Sequence, residues 1–90
     1  MGQLEGKRAI IIGASLEGNM GQVMAKKYRD EGAEVVIASR NAEASQEFAK
    51  SIGCFSTNCD ITRQTDLVQL VDFAEKTMGG VDIAINSTGL

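Results

Sequence analysis

The sequence points to an α/β domain, a parallel sheet with helices on both faces in the order β-α-β-α-β-α-β. Three observations carry this. Short apolar runs rich in β-branched residues alternate with segments of helical periodicity. The first run, Lys7–Ile12, is continuously apolar behind its two basic residues, as a strand buried on both faces is. The junctions are short and marked by Gly or a capping residue, and no Pro interrupts the 90 residues. The first two crossovers step one way, and the third returns to the far side of the first strand. The expected strand order is therefore 3-2-1-4, with a ligand crevice at the C-terminal strand ends where the order reverses.

Each element has its own local justification. Lys7–Ile12 is a continuous apolar run behind two basic residues, the first strand. A helix follows from Asn19 or Met20 to Glu31, with Met20, Val23, Met24 and Tyr28 on its inner face and Gly32 at the C-terminal cap. Glu34–Ala38 is the second strand. Asn41 caps a helix whose inner face is Ala44, Phe48, Ala49 and Ile52, and Gly53 ends it. Cys54–Asn58 is a short, weaker third strand. Thr62 caps a longer helix, Arg63–Met78, in which Leu67, Leu70, Val71, Ala74 and Met78 recur at helical spacing. Gly79-Gly80 stops it, and Val81–Asn86 is the fourth strand, apolar on both faces.

Composition narrows the function. The chain is 43% hydrophobic and 23% charged, which describes one small globular domain. A net charge of −3, with basic residues only in the doublets Lys7-Arg8 and Lys26-Lys27, argues against a nucleic-acid footprint. No apolar stretch reaches the length of a membrane span. Met1-Gly2-Gln3-Leu4-Glu5-Gly6 lacks the layout of a signal peptide, and Gly6 stands where a myristoylation signal wants Ser or Thr. The expected location is cytoplasmic. With no His and only Cys54 and Cys59, no metal site is expected; the two thiols read as free, buried small hydrophobes.

Chemistry concentrates at the C-terminal ends of the strands. Gly13-Ala14-Ser15-Leu16-Glu17-Gly18-Asn19-Met20-Gly21 runs from the first strand into a helix, the context in which a glycine-rich turn cradles a pyrophosphate. Ser15 and Asn19 offer side-chain donors, and Met20 and Gly21 offer backbone N–H groups at the helix start. Glu17 fits only if its carboxylate points to water. The bland alternative is a glycine-rich turn without a ligand. At the end of the second strand, where a unit binding NAD carries an acid for the ribose hydroxyls, stands Ser39, followed by Arg40. A guanidinium attracts a 2′-phosphate that a carboxylate would repel, and Ser39 and Asn41 can add hydrogen bonds. NADP is thereby favoured over NAD; the competing reading is a solvated surface Arg. Asp60, after the third strand, is either a turn or capping residue or a ligand contact.

Gly13-Ala14-Ser15, Asp60-Ile61 and Asn86-Ser87-Thr88-Gly89 together resemble the short-chain dehydrogenase/reductase family, in the right order and over essentially the whole chain. The resemblance implies a Rossmann-like fold and a nicotinamide dinucleotide. It implies that Asp60 holds the adenine amino group, that the backbone of Ile61 contacts the ring, and that Asn86 and Gly89 lie beneath the adenosine ribose. The glycine loop, Gly-x4-Gly-x2-Gly, is two residues longer than the family's usual Gly-x3-Gly-x-Gly, and so resembles the divergent, enoyl-reductase-like branch. Asn86-Ser87-Thr88-Gly89 resembles the Asn-Asn-Ala-Gly of the other main branch.

In that family, proton transfer uses a Tyr-x-x-x-Lys pair, or Tyr-x6-Lys in the divergent branch. The one tyrosine, Tyr28, has no lysine at either spacing, with Glu31, Glu34 and Val35 nearby. No catalytic residue is assigned. The expectation is a single NADP-binding half domain over residues 1–90, without linker or substrate half, from an oxidoreductase moving hydride to or from a carbonyl, alcohol or activated alkene. As a fragment it would be inactive alone. Its exposed fourth strand would promote self-association. The alternatives are a non-catalytic nucleotide-binding or sensor module, and a structural fragment that binds no nucleotide.

Overall fold

The computed structural model describes residues 5–13, 20–40, 42–60 and 63–86. Its elements are β1 (Arg8–Ile12), α1 (Met20–Asp30), β2 (Glu34–Ser39), α2 (Ala42–Ile52), β3 (Phe55–Asn58), α3 (Gln64–Met78) and β4 (Ile83–Asn86). The four strands form one parallel sheet in the order β3-β2-β1-β4, as the alternation predicts.

The two apolar strands at the centre feed two cores. Ala9 and Ile11 of β1 and Val35 and Ile37 of β2 face α1 and α2, packing with Ala25, Ala33 and Ala49, while Met24, Tyr28, Phe48 and Ile52 close the layer. Ile10, Val36 and Ala38 point to the opposite face, where Leu70, Ala74 and Met78 of α3 cover them. This two-sided burial is the reason β1 and β2 carry no polar alternation.

β1 starts at Arg8 and not Lys7, α1 ends at Asp30 and not Glu31, and α3 starts at Gln64 and not Arg63; two further boundaries move for identifiable reasons. The third strand starts at Phe55 and not Cys54, because the Cys54 N–H is committed to the Ala49 carbonyl at the end of α2 (3.0 Å). The fourth starts at Ile83 and not Val81. There the Asp82 N–H donates to the Arg8 carbonyl (2.7 Å), but the Arg8 N–H donates to the Asp82 carboxylate (2.9 Å), so a side chain takes the place of a ladder bond. The second strand extends one residue further, through Ser39. Thr62 lies outside the described residues; Arg63 occupies the N-cap of α3 with no side-chain cap bond.

Two apolar residues assigned to inner faces sit elsewhere. Val23 is 56% exposed, because Ala25, Met24 and Tyr28 turn α1 so that Val23 lies on its far side. Val71 is 45% exposed at the margin of the buried stripe of α3, beside Val68 at 63%. Gly32 sits at φ 92° in the turn between α1 and β2, and a Cβ there would meet the Glu5 backbone at 3.1 Å. Both the left-handed backbone and the close approach require glycine.

Candidate functional site

The parallel register brings the C-terminal strand ends to one edge of the sheet. Ile12 is level with Ala38 on one side and Asn86 on the other, and Ser39 is level with Asn58. Beyond these positions lie Gly13, Arg40 and Asp60, which the sequence singles out, with Asn86 closing β4. Ser15, Asn19, Asn41, Ile61 and Gly89 lie outside the described residues.

Gly13 leaves β1 at φ 97°, a conformation that a side chain disfavours, and its N–H donates to the Ala38 carbonyl (2.6 Å). The chain is thus turned off the end of β1 while still bonded to β2. Met20 and Gly21 open α1, whose first turn carries no acidic residue. Among the described residues, the positive dipole end of the helix start therefore has no carboxylate within its own first turn.

Ser39 and Arg40 divide their duties. Ser39 is buried, and its hydroxyl pairs with the fully buried Ser45 hydroxyl on α2 (2.5 Å), fastening the end of β2 to the helix that follows. Arg40 is exposed, and among the described residues no ion pair engages its guanidinium. The sequence does not mark Ser45: a serine in a helix interior gives no signal until its partner across the turn is known.

Asp60 is half-buried, and both its backbone groups are engaged. Its N–H donates to the Asp66 carboxylate on the first turn of α3 (3.0 Å), and its carbonyl accepts from the Arg63 N–H (3.0 Å). One residue earlier, the Cys59 N–H donates to the Ser39 carbonyl (2.8 Å), which extends the β2–β3 pairing to the brink of Asp60. Burial pushes the Cys59 thiol up from its ordinary value, and the Asp66 and Asp60 carboxylates push it the same way. Both cysteines are free thiols. Among the described residues no group of His, Cys, Asp and Glu is placed to hold a metal ion.

Tyr28 packs against the core beneath α1 and α2, not at the C-terminal edge. Its position gives it a packing role.

A parallel sheet in this order, with a glycine turn, a helix start, an exposed arginine and a tethered aspartate along one edge, defines an α/β unit of the Rossmann type. The chain belongs to the short-chain dehydrogenase/reductase family: residues 13–90 match the family described as Enoyl-(Acyl carrier protein) reductase. It is 35% identical over 88 residues to the mitochondrial borneol dehydrogenase of Lavandula x intermedia, covering 98% of this chain and 33% of that protein. Among solved structures, the hydroxysteroid dehydrogenase from Escherichia coli superposes with a TM-score of 0.87 at 38% identity, over 92% of this chain and 35% of that one. The 3-ketoacyl-(acyl-carrier-protein) reductase from Brucella melitensis, crystallised with NADH, superposes with a TM-score of 0.85 at 34% identity, over 91% and 34%. The chain therefore spans about a third of the length of the relatives it matches.

No helix among the described residues is long and apolar enough to cross a membrane.

Proposed function

We propose that residues 1–90 are the adenosine-binding half domain of an NADP(H)-dependent oxidoreductase that moves hydride to or from a carbonyl, alcohol or activated alkene. The reading draws on family membership and on the NADH held by a relative of the same fold. The single observation that carries the choice of NADP is Arg40, exposed just past the end of β2 with no acidic residue before it.

The donor set suits such a ligand. Gly13 and the start of α1, with Ser15, Asn19, Met20 and Gly21, would receive the pyrophosphate. Arg40 and Asn41 would hold the 2′-phosphate. The buried Ser39 would serve chiefly by fixing where Arg40 emerges, since its hydroxyl is paired with Ser45. Asp60 and Ile61 would take the adenine, and Asn86 and Gly89 the ribose. When bound, the nicotinamide would donate or accept the hydride. These residues would bind and orient, and with Tyr28 packed against the core we assign no proton transfer to them. We place the protein in the cytoplasm.

Calorimetric titration with 2′,5′-ADP and with AMP tests the cofactor. Binding of 2′,5′-ADP should be the tighter, and Arg40→Ala should lower that preference by about tenfold, the worth of one charge-assisted contact. Equal affinities in the parent protein would overturn the NADP reading.

The same reading includes self-association. β4 pairs with β1 on one side, and Val68 and Val71 of α3 are exposed. Among the described residues β4 has a strand neighbour on the β1 side only, and such an edge with apolar surface nearby favours pairing with a second copy. Sedimentation across a concentration series should show mass rising with concentration; a constant monomer mass would overturn it.

A further inference from the structure

The contact between Asp66 and Asp60 has a consequence for specificity. α3 begins without a side-chain cap: Arg63 at the N-cap makes no such bond, and the Asp66 and Leu67 N–H groups fold back to the Arg63 carbonyl (3.1 and 3.3 Å). An aspartate in the first turn ordinarily turns toward the free N–H groups of its own helix. Here the Asp66 carboxylate reaches back six residues and accepts from the Asp60 N–H (3.0 Å). A charged acceptor makes this one of the stronger hydrogen bonds available to a backbone amide. Together with the Arg63 N–H on the Asp60 carbonyl and the Cys59 N–H on the Ser39 carbonyl, it fixes the backbone on both sides of the Asp60 Cα.

We propose that Asp66 is a positioning residue for base recognition: by holding the Asp60 N–H it sets the Asp60 carboxylate where an exocyclic amino group of a purine can donate to it. This rests on the adenosine-binding reading above. Asp66 touches no ligand in this arrangement and acts only through Asp60. Adenine offers an amino donor at position 6 of the ring, whereas hypoxanthine offers a carbonyl oxygen, which a carboxylate repels. The discrimination between these two bases therefore reports where the Asp60 carboxylate stands. A general loss of stability would weaken both nucleotides alike.

The test compares 2′,5′-ADP with inosine 2′,5′-bisphosphate, and 2′,5′-ADP with AMP, in the parent protein and in Asp66→Ala, Asp66→Ser and Asp66→Asn. The parent should prefer adenine by about tenfold, as expected of one hydrogen bond to a charged group. Asp66→Ala should bring that ratio close to unity while leaving the preference for a 2′-phosphate intact. Asp66→Ser keeps a residue suited to a helix start but is too short to reach Asp60, so it should behave as Ala does and serves if Ala does not fold. Asp66→Asn retains a side-chain oxygen acceptor and should recover most of the adenine preference. An adenine preference unchanged in Asp66→Ser overturns the role of Asp66 alone. A parent protein that binds none of these nucleotides overturns the adenosine-binding reading, and the role of Asp66 with it.

Discussion

The two ends of the same sheet use arginine in opposite ways. At the N-terminal end, Arg8 is locked: its Nε donates to Asp82 (3.1 Å), its Nη1 donates to the Gly79 carbonyl (3.0 Å), and the two backbones are joined by a further bond. These contacts tie β1 to β4 and to the C-terminal end of α3. At the C-terminal end, Arg40 projects from β2 into solvent while the serine before it is held in the core. One arginine is tied to its neighbours in the fold, and the other is exposed at the strand end. In a parallel sheet all strands end on the same side, so outward-facing chemistry can be gathered at one edge only, and the opposite edge is available for ties within the chain.

This contrast predicts a double dissociation. Arg8→Ala should lower Tm, the largest effect expected of these surface changes, and leave the affinity for 2′,5′-ADP unchanged. Arg40→Ala should leave Tm nearly unchanged, since surface substitutions away from structural ties stay within about 0.5 kcal/mol. Gly80→Ala offers an independent route to the first result. A Cβ at Gly80 would stand 2.8 Å from the Arg8 Nη1 and displace the guanidinium from the Gly79 carbonyl. Thermal melts and titrations on the three variants check this. If Arg8→Ala weakened nucleotide binding without lowering Tm, the division between the two ends would fail.

What the sequence makes legible follows the same division. β1 and β2 declare themselves because both faces are buried, and Gly13, Gly32 and Gly79 mark turns that need positive φ. Arg40 and Asp60 stand out because their strand ends can be counted. The tie between Arg8 and Asp82 was not legible, because the partners are 74 residues apart and meet only once β4 has returned beside β1. Nor was the bond from Asp60 to Asp66, since sequence alone cannot say whether a first-turn carboxylate caps its own helix or reaches back. Val23 and Val71 were misplaced for a simpler reason. Helical spacing identifies the middle of an apolar stripe, while its margins depend on which neighbours are there to cover them.

The clamp at Arg8 also gives the N-terminal end an acid sensitivity. The hydrogen bonds from the Arg8 side chain and backbone hold the Asp82 carboxyl below its ordinary value of 3.8. A carboxylate whose value is lowered by folding contributes stability that is fully present above its unfolded value and is lost as pH falls through the folded one. Melts between about pH 7 and pH 3 should therefore show the parent more stable than Asp82→Asn at neutral pH, with the gap closing below about pH 4. The effect should be smaller than that of Arg8→Ala, because the amide oxygen that Asp82→Asn leaves in place can still accept from Arg8. A gap that stays constant with pH would mean that the Asp82 charge contributes nothing and only its shape matters.

The smallest effect expected is at the two thiols, which flank β3 at opposite ends of the sheet. Cys54 precedes the strand at the N-terminal end, and burial pushes its thiol up to about 11, with Arg29 opposing the shift. At pH 8 only about a thousandth of it would be thiolate, the reactive form. Cys59 follows the strand at the C-terminal end, is 1% exposed, and is raised by burial and by the carboxylates of Asp66 and Asp60. Iodoacetamide at pH 8 should therefore label both far more slowly in the folded protein than in urea, with Cys54 the faster of the two. Asp66→Ser should speed labelling at Cys59 and leave Cys54 alone, because it removes a nearby negative charge and releases the backbone beside Cys59. Equal acceleration at both thiols would mean that the substitution loosens the whole sheet, and that the C-terminal end has no local tether of its own.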